Sequence, residues 1–309
     1  MYLNFFKKSM PPNKVQCLAE ANGRKQVIEW NDRGLRRITK LLLTAVPPVA
    51  FVSCNDVKRV FKLQRTAHES EVLLKLYDIM PSHTVKIQGT LGDVMILQYI
   101  PAFIHHGKRL ATLDDLLEDM SDDILAHVIF QVACILHDLR HSIQFSHNDF
   151  KADNILLTPN TDPLMFSLAE TYTPPVRVVI IDVETSTMAS KQPPLHDMDA
   201  IVLEEFGLGP DMPDCEWSDF HLCMLEIWVR VKRHMPVWKS DFLTFLLSIV
   251  PYELIKTFQE GGVHVSRMNR LTRTGRVACN EACAPLSHVI QSEFLQSRIH
   301  GCPAPPKMV

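Results

Sequence analysis

No apolar run in the 309-residue chain reaches the roughly 18 residues that a membrane-spanning helix needs, so an integral membrane role is not expected. The opening Met1-Tyr2-Leu3-Asn4-Phe5-Phe6-Lys7-Lys8 puts its charge after its apolar residues, the reverse of a secretory leader. Charge of one sign is not in excess: a net charge of −3 offers no general attraction to nucleic acid or to a membrane surface. Cysteine is not concentrated either. The eight cysteines are scattered, which predicts reduced thiols in an intracellular setting, cytoplasmic or nuclear. Neither an internal repeat nor a long low-complexity tract is present. What remains is an ordinary core-forming composition, 46% hydrophobic and 22% charged, in a length suited to about two domains.

The most informative stretch is Phe145 to Leu157, FSHNDFKADNILL. Asp149 can take a proton from an attacking hydroxyl, Lys151 can offset charge on a phosphoryl group in flight, and Asn154 can hold a cation through its amide oxygen. An apolar run, Ile155-Leu156-Leu157, follows at once. Further on, Val178-Val179-Ile180-Ile181 reads as a buried β-branched strand ending in Asp182, 28 residues after Asn154. A carboxylate at that strand end offers hard oxygen for magnesium. A polar turn between a helix and a strand is the plain alternative, but it gives no reason for the later acid. The pattern His147-x-Asp149-x-Lys151-x-x-Asn154 resembles the catalytic loop of the eukaryotic-type protein kinases. The resemblance spans about residues 38–255 and is densest over 145–184.

That resemblance assigns roles elsewhere. Val57–Leu63 reads as a strand after the turn-like Asn55-Asp56, and Lys62 resembles the strand lysine that binds ATP phosphates. A solvated edge-strand lysine is the bland alternative. Thr66-Ala67-His68-Glu69 is a capping-box pattern ahead of an apolar helix, and Glu69 is the candidate partner of Lys62, with a simple capping role as its rival. Leu97-Gln98-Tyr99-Ile100-Pro101 resembles the hinge whose backbone receives adenine, so Gln98 and Ile100 are candidate nucleotide contacts. Upstream, Ile38–Leu43 and Val49–Ser53 read as two strands around Ala45-Val46-Pro47-Pro48. That first hairpin lacks the glycine expected where bare backbone must approach phosphates.

Helical spacing dominates the rest. Thr112 and Asp115 fit a cap for a short helix, and Ser121-Asp122-Asp123 opens a long one to about His141 with Leu125, Val128, Ile129, Val132, Leu136 and Leu139 along one stripe. His137 and His141 sit four apart on it without an evident third metal ligand. Ser218 to Trp228 reads as a buried helix whose Asp219 resembles the kinase acid that props the catalytic loop through its backbone; an ordinary first-turn acid is the alternative. The spacing around Asp219, His221 and Trp228 resembles the serine/threonine kinases of large DNA viruses. Cys279, Cys283, His288, His300 and Cys302 could in principle bind zinc, and scattered core or surface positions are the simpler account.

Two departures bear on regulation and substrate. Asn148 stands where regulated kinases carry the arginine that receives an activation-segment phosphate, so switching by that route is not expected. Asp182-Val183-Glu184 replaces Asp-Phe-Gly; its second acid is also similar to choline and aminoglycoside kinases, and Asn148-Asp149 is similar to choline kinases. The resemblance therefore implies an α+β, two-lobed fold. Residues 1–33 would be a poorly ordered lead-in, 34–100 a small lobe of sheet with one helix, and 101–309 a mostly helical lobe with a weakly readable tail from about 262. ATP would lie between the lobes with Mg2+. The implied activity is monomeric, magnesium-dependent transfer to serine or threonine of protein substrates. A small-molecule kinase and a catalytically silent binding module are the alternatives.

Overall fold

Alternating burial along short strands builds the first part of the molecule. The computed structural model describes residues 16–29, 32–45, 47–64, 67–119, 122–188, 218–233, 240–250 and 285–300. The chain divides into two units, Met1–Ile100 and Pro101–Val309. In the first, strands Gln16–Ala21 (β1), Arg24–Glu29 (β2), Val49–Cys54 (β3), Val57–Leu63 (β4), Ile87–Leu91 (β5) and Val94–Gln98 (β6) make one antiparallel sheet in the order β2-β1-β3-β4-β6-β5. Asn22-Gly23 and Asn55-Asp56 close two of its hairpins with φ of 48°, 70°, 46° and 64°. Positive φ at both central residues gives the turn twist that matches paired strands, and Asn, Asp and Gly tolerate it best.

One face of this sheet carries Cys17, Ala19, Ala50, Val52, Phe61 and Ile96, and packs on helix Asp32–Leu43 (α1). Here the structure corrects the expected strand at Ile38–Leu43. Leu35, Ile38, Leu41, Leu42 and Ala45 recur at helical spacing and turn inward, while Arg36, Arg37 and Lys40 are exposed. The expected lead-in is corrected too: within residues 1–33, β1 and β2 belong to the sheet, with β1 between β2 and β3. The first hairpin among the described residues is therefore β1–β2, and its turn does contain a glycine, Gly23.

The cysteine expectation also changes. The β1–β3 register sets Cys17 opposite Cys54, with 4.4 Å between Cα atoms, and the two form a disulfide inside the core. Cys134 and Cys223 are free and buried. The pair is 37 residues apart in sequence and meets only through strand register, so cysteine spacing alone could not reveal it.

The second unit contains two small hairpins, Phe103–His105 (β7) with Lys108–Leu110 (β8), and Leu164–Phe166 (β10) with Ala169–Tyr172 (β11), plus the pair Ile155–Pro159 (β9) and Val176–Ile180 (β12). Its helices include Ala67–Ile79's successors in chain order: Leu113–Asp119, Asp122–Ile143, Ser218–Arg233, Ser240–Ile249, Leu286–Ile290 and Glu293–His300. With Ala67–Ile79 of the first unit as α2, these are α3 to α8. Thr112 caps α3 reciprocally: its Oγ1 accepts from Asp115 N (3.2 Å), and Asp115 Oδ2 accepts from Thr112 N (3.0 Å).

Helix α4 is the pillar of this unit. Leu125, Val128, Ile129, Val132, Ile135 and Leu139 are all buried along it. Among the described residues the strand β12 has only β9 as a strand neighbour, which leaves its other edge without a ladder there. Buried Gln131 of α4 supplies the missing partners, donating from Nε2 to Val176 O (2.9 Å) and accepting at Oε1 from Val178 N (3.0 Å). Among the described residues no helix is long and apolar enough to cross a membrane. The class is mixed α+β.

Candidate active site

The loop after α4 is held by its backbone. Asn148 and Asp182 both adopt left-handed φ, 67° and 60°, a conformation that Asn and Asp tolerate better than bulkier residues. Asp219, in the first turn of α5, accepts from His147 N (2.6 Å) at Oδ2 and from Asn148 N (2.9 Å) at Oδ1. The expectation that Asp219 props this loop is met. The His147 ring meets Ile181 O at 2.9 Å, and Ile181 N donates to Asn154 O (3.1 Å). These bonds join the loop to the end of β12.

Because Ile155 pairs with Ile180 in the β9–β12 register, Asn154 and Asp182 emerge from neighbouring strand ends. Lys151 Nζ lies 2.8 Å from Asp149 Oδ2. Asn154 Nδ2 donates to Asp149 O (2.8 Å) and reaches Asp149 Oδ2 at 3.4 Å. Burial lowers the Lys151 pKa, but the hydrogen bond and charge of Asp149, with the charges of Asp182 and Asp153, outweigh it and leave the value raised. Lys151 is thus a cation ringed by acids. Asp149, Lys151, Asn154 and Asp182, picked from sequence, are brought together.

The donor chemistry suits a hard cation. With its Nδ2 committed to Asp149, Asn154 keeps its amide oxygen for a metal, and Asp182 adds a carboxylate. Among the described residues no group of three or more His, Cys, Asp or Glu side chains is placed to hold a metal ion. His137 and His141 stack on each other with ring centres 4.0 Å apart. Of the zinc candidates, His288 and His300 are exposed, and Cys279, Cys283 and Cys302 lie outside the described residues, as does Thr66 of the capping-box pattern.

The remaining candidates belong to the first unit. Lys62 Nζ is 2.6 Å from Glu69 Oε1, with both side chains largely buried. Glu69 is therefore the ion-pair partner rather than only a helix-start acid. Its face of the sheet is set by register: Val49 is opposite Lys62, and Phe51 opposite Val60. Lys62, Val60, Phe51 and, through β1, Leu18 point to the side away from α1. Phe51 (51%) and Leu18 (41%) are exposed there. Gln98 closes β6, is exposed, and donates its N–H to Lys86 O (2.9 Å). Ile100, half-buried, is the last residue of the unit, so the expected hinge coincides with the division of the chain.

Sequence reasoning missed two attachments. Asn148, noted only for replacing an arginine, donates from Nδ2 to Thr185 O (2.9 Å), while Ser146 and Thr187 exchange backbone bonds (3.0 and 2.8 Å). The residues after Asp182 are thereby tied to the loop. Glu226 Oε2 accepts from Ala152 N (2.9 Å). Its interval of seven from Asp219 was a readable sign, since that spacing repeats a helix face. No protein-family model matches this chain, and no curated protein matches it.

Proposed function

We propose that the chain is a magnesium-dependent phosphotransferase of the protein-kinase type, moving the γ-phosphoryl group of ATP to serine or threonine hydroxyls of proteins. The observation that carries this reading is the convergence of Asp149, Lys151, Asn154 and Asp182 on a loop pinned from behind by Asp219. The substrate hydroxyl oxygen attacks the γ-phosphorus, its proton passes to Asp149, and the bond to the bridging oxygen breaks to release ADP. Lys151, cationic in this setting, offsets charge on the moving group. Mg2+, when bound, would supply further charge neutralisation on the phosphates through Asn154 and Asp182. Within the first unit, Lys62, held by Glu69, is suited to binding phosphate, and the exposed Phe51 and Leu18 on its face of the sheet suit a flat heterocycle.

The ties from Asn148 and Ser146 to Thr185 and Thr187 favour a segment set without phosphorylation. A second reading is kept by Glu184, two residues after Asp182, which suits a kinase of choline- or aminoglycoside-like small molecules. The test is labelled ATP with mixed protein, choline and aminoglycoside acceptors. Mg2+-dependent transfer to protein, reduced by about 10²-fold or more in Asp149→Asn, is expected. Undiminished transfer by that variant would overturn the reading, and transfer only to an aminoalcohol or aminoglycoside would favour the second.

A further inference from the structure

We infer that Glu226 is a positioning residue for the loop, setting through the Ala152 amide the turn that aims Asn154. Its geometry stands alone; its consequence for metal use rests on the phosphotransferase reading above.

Helix α5 offers two carboxylates to the loop. Asp219 and Glu226 are seven residues apart, about two turns, so both lie on one face. Both are buried. Asp219 takes the amides of His147 and Asn148, immediately before Asp149, whereas Glu226 takes the amide of Ala152, immediately after Lys151. The reactive pair Asp149 and Lys151 is thus clasped on both sides from one helix. Cys223 lies between the acids on that face, and its thiol pKa is pushed up by burial, then by Glu226 and Asp219.

The need for Glu226 is local. Ala152 opens a single 3-10 turn, Ala152–Asn154, and its preceding residue, Lys151, makes no side-chain cap. First-turn amides lack a partner within their own helix. Ala152 is fully buried, so water cannot readily replace the acceptor. Glu226 serves as a cap delivered from 74 residues away. Two residues on, the same turn presents Asn154, whose amide orientation is fixed by Asp149. Slack at Ala152 would displace Asn154 while the Asp219 attachments keep the front of the loop in register.

Glu226→Ala and Glu226→Gln, in the full chain, test this by two measurements. The glutamine oxygen can still accept from Ala152 N. In Glu226→Ala, amide hydrogen exchange over residues 150–157 should quicken about tenfold or more, while exchange over 145–148 changes little. The Mg2+ concentration for half-maximal transfer should rise about tenfold, the usual scale for removing a group behind a metal ligand. The KM for ATP at saturating Mg2+ should stay within about twofold, and Glu226→Gln should restore both readouts. Unchanged exchange in Glu226→Ala, a glutamine variant as loose as the alanine one, or a loosened turn with unaltered Mg2+ dependence would each overturn the inference. Exchange does not depend on turnover: a wild-type chain that transfers no phosphoryl group would sink the functional reading, while the exchange arm still decides the clasp. If Glu226→Ala does not fold, the glutamine variant decides, since wild-type exchange and Mg2+ dependence are required of it.

Discussion

Lys62 and Glu69 form an ion pair 2.6 Å apart although only seven residues separate them. The short span suffices because β4 ends at Leu63 and α2 begins at Ala67. Their side chains are 13% and 3% exposed, so the pair is desolvated and its loss is asymmetric. Lys62→Met leaves a buried carboxylate without its ammonium and should cost about 3 kcal/mol in urea unfolding, with Lys62→Met/Glu69→Leu recovering most of it. Additive losses in that cycle would mean the two side chains act independently.

The acids around Lys151 make a pH prediction. Its folded pKa is raised above 10.5, so its ion pair with Asp149 is fully present below that value and is lost as pH rises through the higher folded one. Thermal midpoints of wild type and Lys151→Met should therefore keep a constant gap from neutral pH to about 10 and converge only above it. A gap that closes near pH 8 would show that the ammonium is not held by these carboxylates.

Asn148 combines a left-handed backbone with side-chain bonds, and two variants separate those contributions. Asn148→Gly loses the bonds to Thr185 but accepts the backbone; Asn148→Ala loses both and should be less stable by a further 1 kcal/mol or so. Both should speed amide exchange across residues 185–188. Equal stability of the two variants would show the conformation costs nothing.

The Cys17–Cys54 bond closes a separation of 37 residues. Chain-entropy reasoning assigns such a loop about 4 kcal/mol, so reduction should lower the denaturation midpoint of the first unit and leave the second unchanged. Two-probe unfolding with and without reductant reads this directly.

Local patterns carried most of what could be read beforehand. The strand Val57–Leu63 came from alternation, α4 from its apolar stripe, and the loop residues from their offsets. Asp219 was readable through its resemblance to the kinase acid near the start of a buried helix. The failures were non-local or ambiguous. Ile38–Leu43 holds three consecutive leucines before Pro47-Pro48, and that apolar run concealed the helical spacing of Leu35, Ile38, Leu42 and Ala45. The disulfide depends on the β1–β3 register. Glu226 acts on a main-chain amide, and no residue type marks that partner in the sequence.

The sheet order has a practical outcome for anyone shortening the protein. A fragment starting after residue 30 would discard both strands ahead of α1 and strip β3 of its neighbour β1, leaving it paired with β4 alone. The open edge would carry Phe51, already solvent-facing, together with the orphaned thiol of Cys54. Such an edge invites strand pairing between molecules and intermolecular oxidation, so the trimmed product should precipitate where the longer chain stays dispersed.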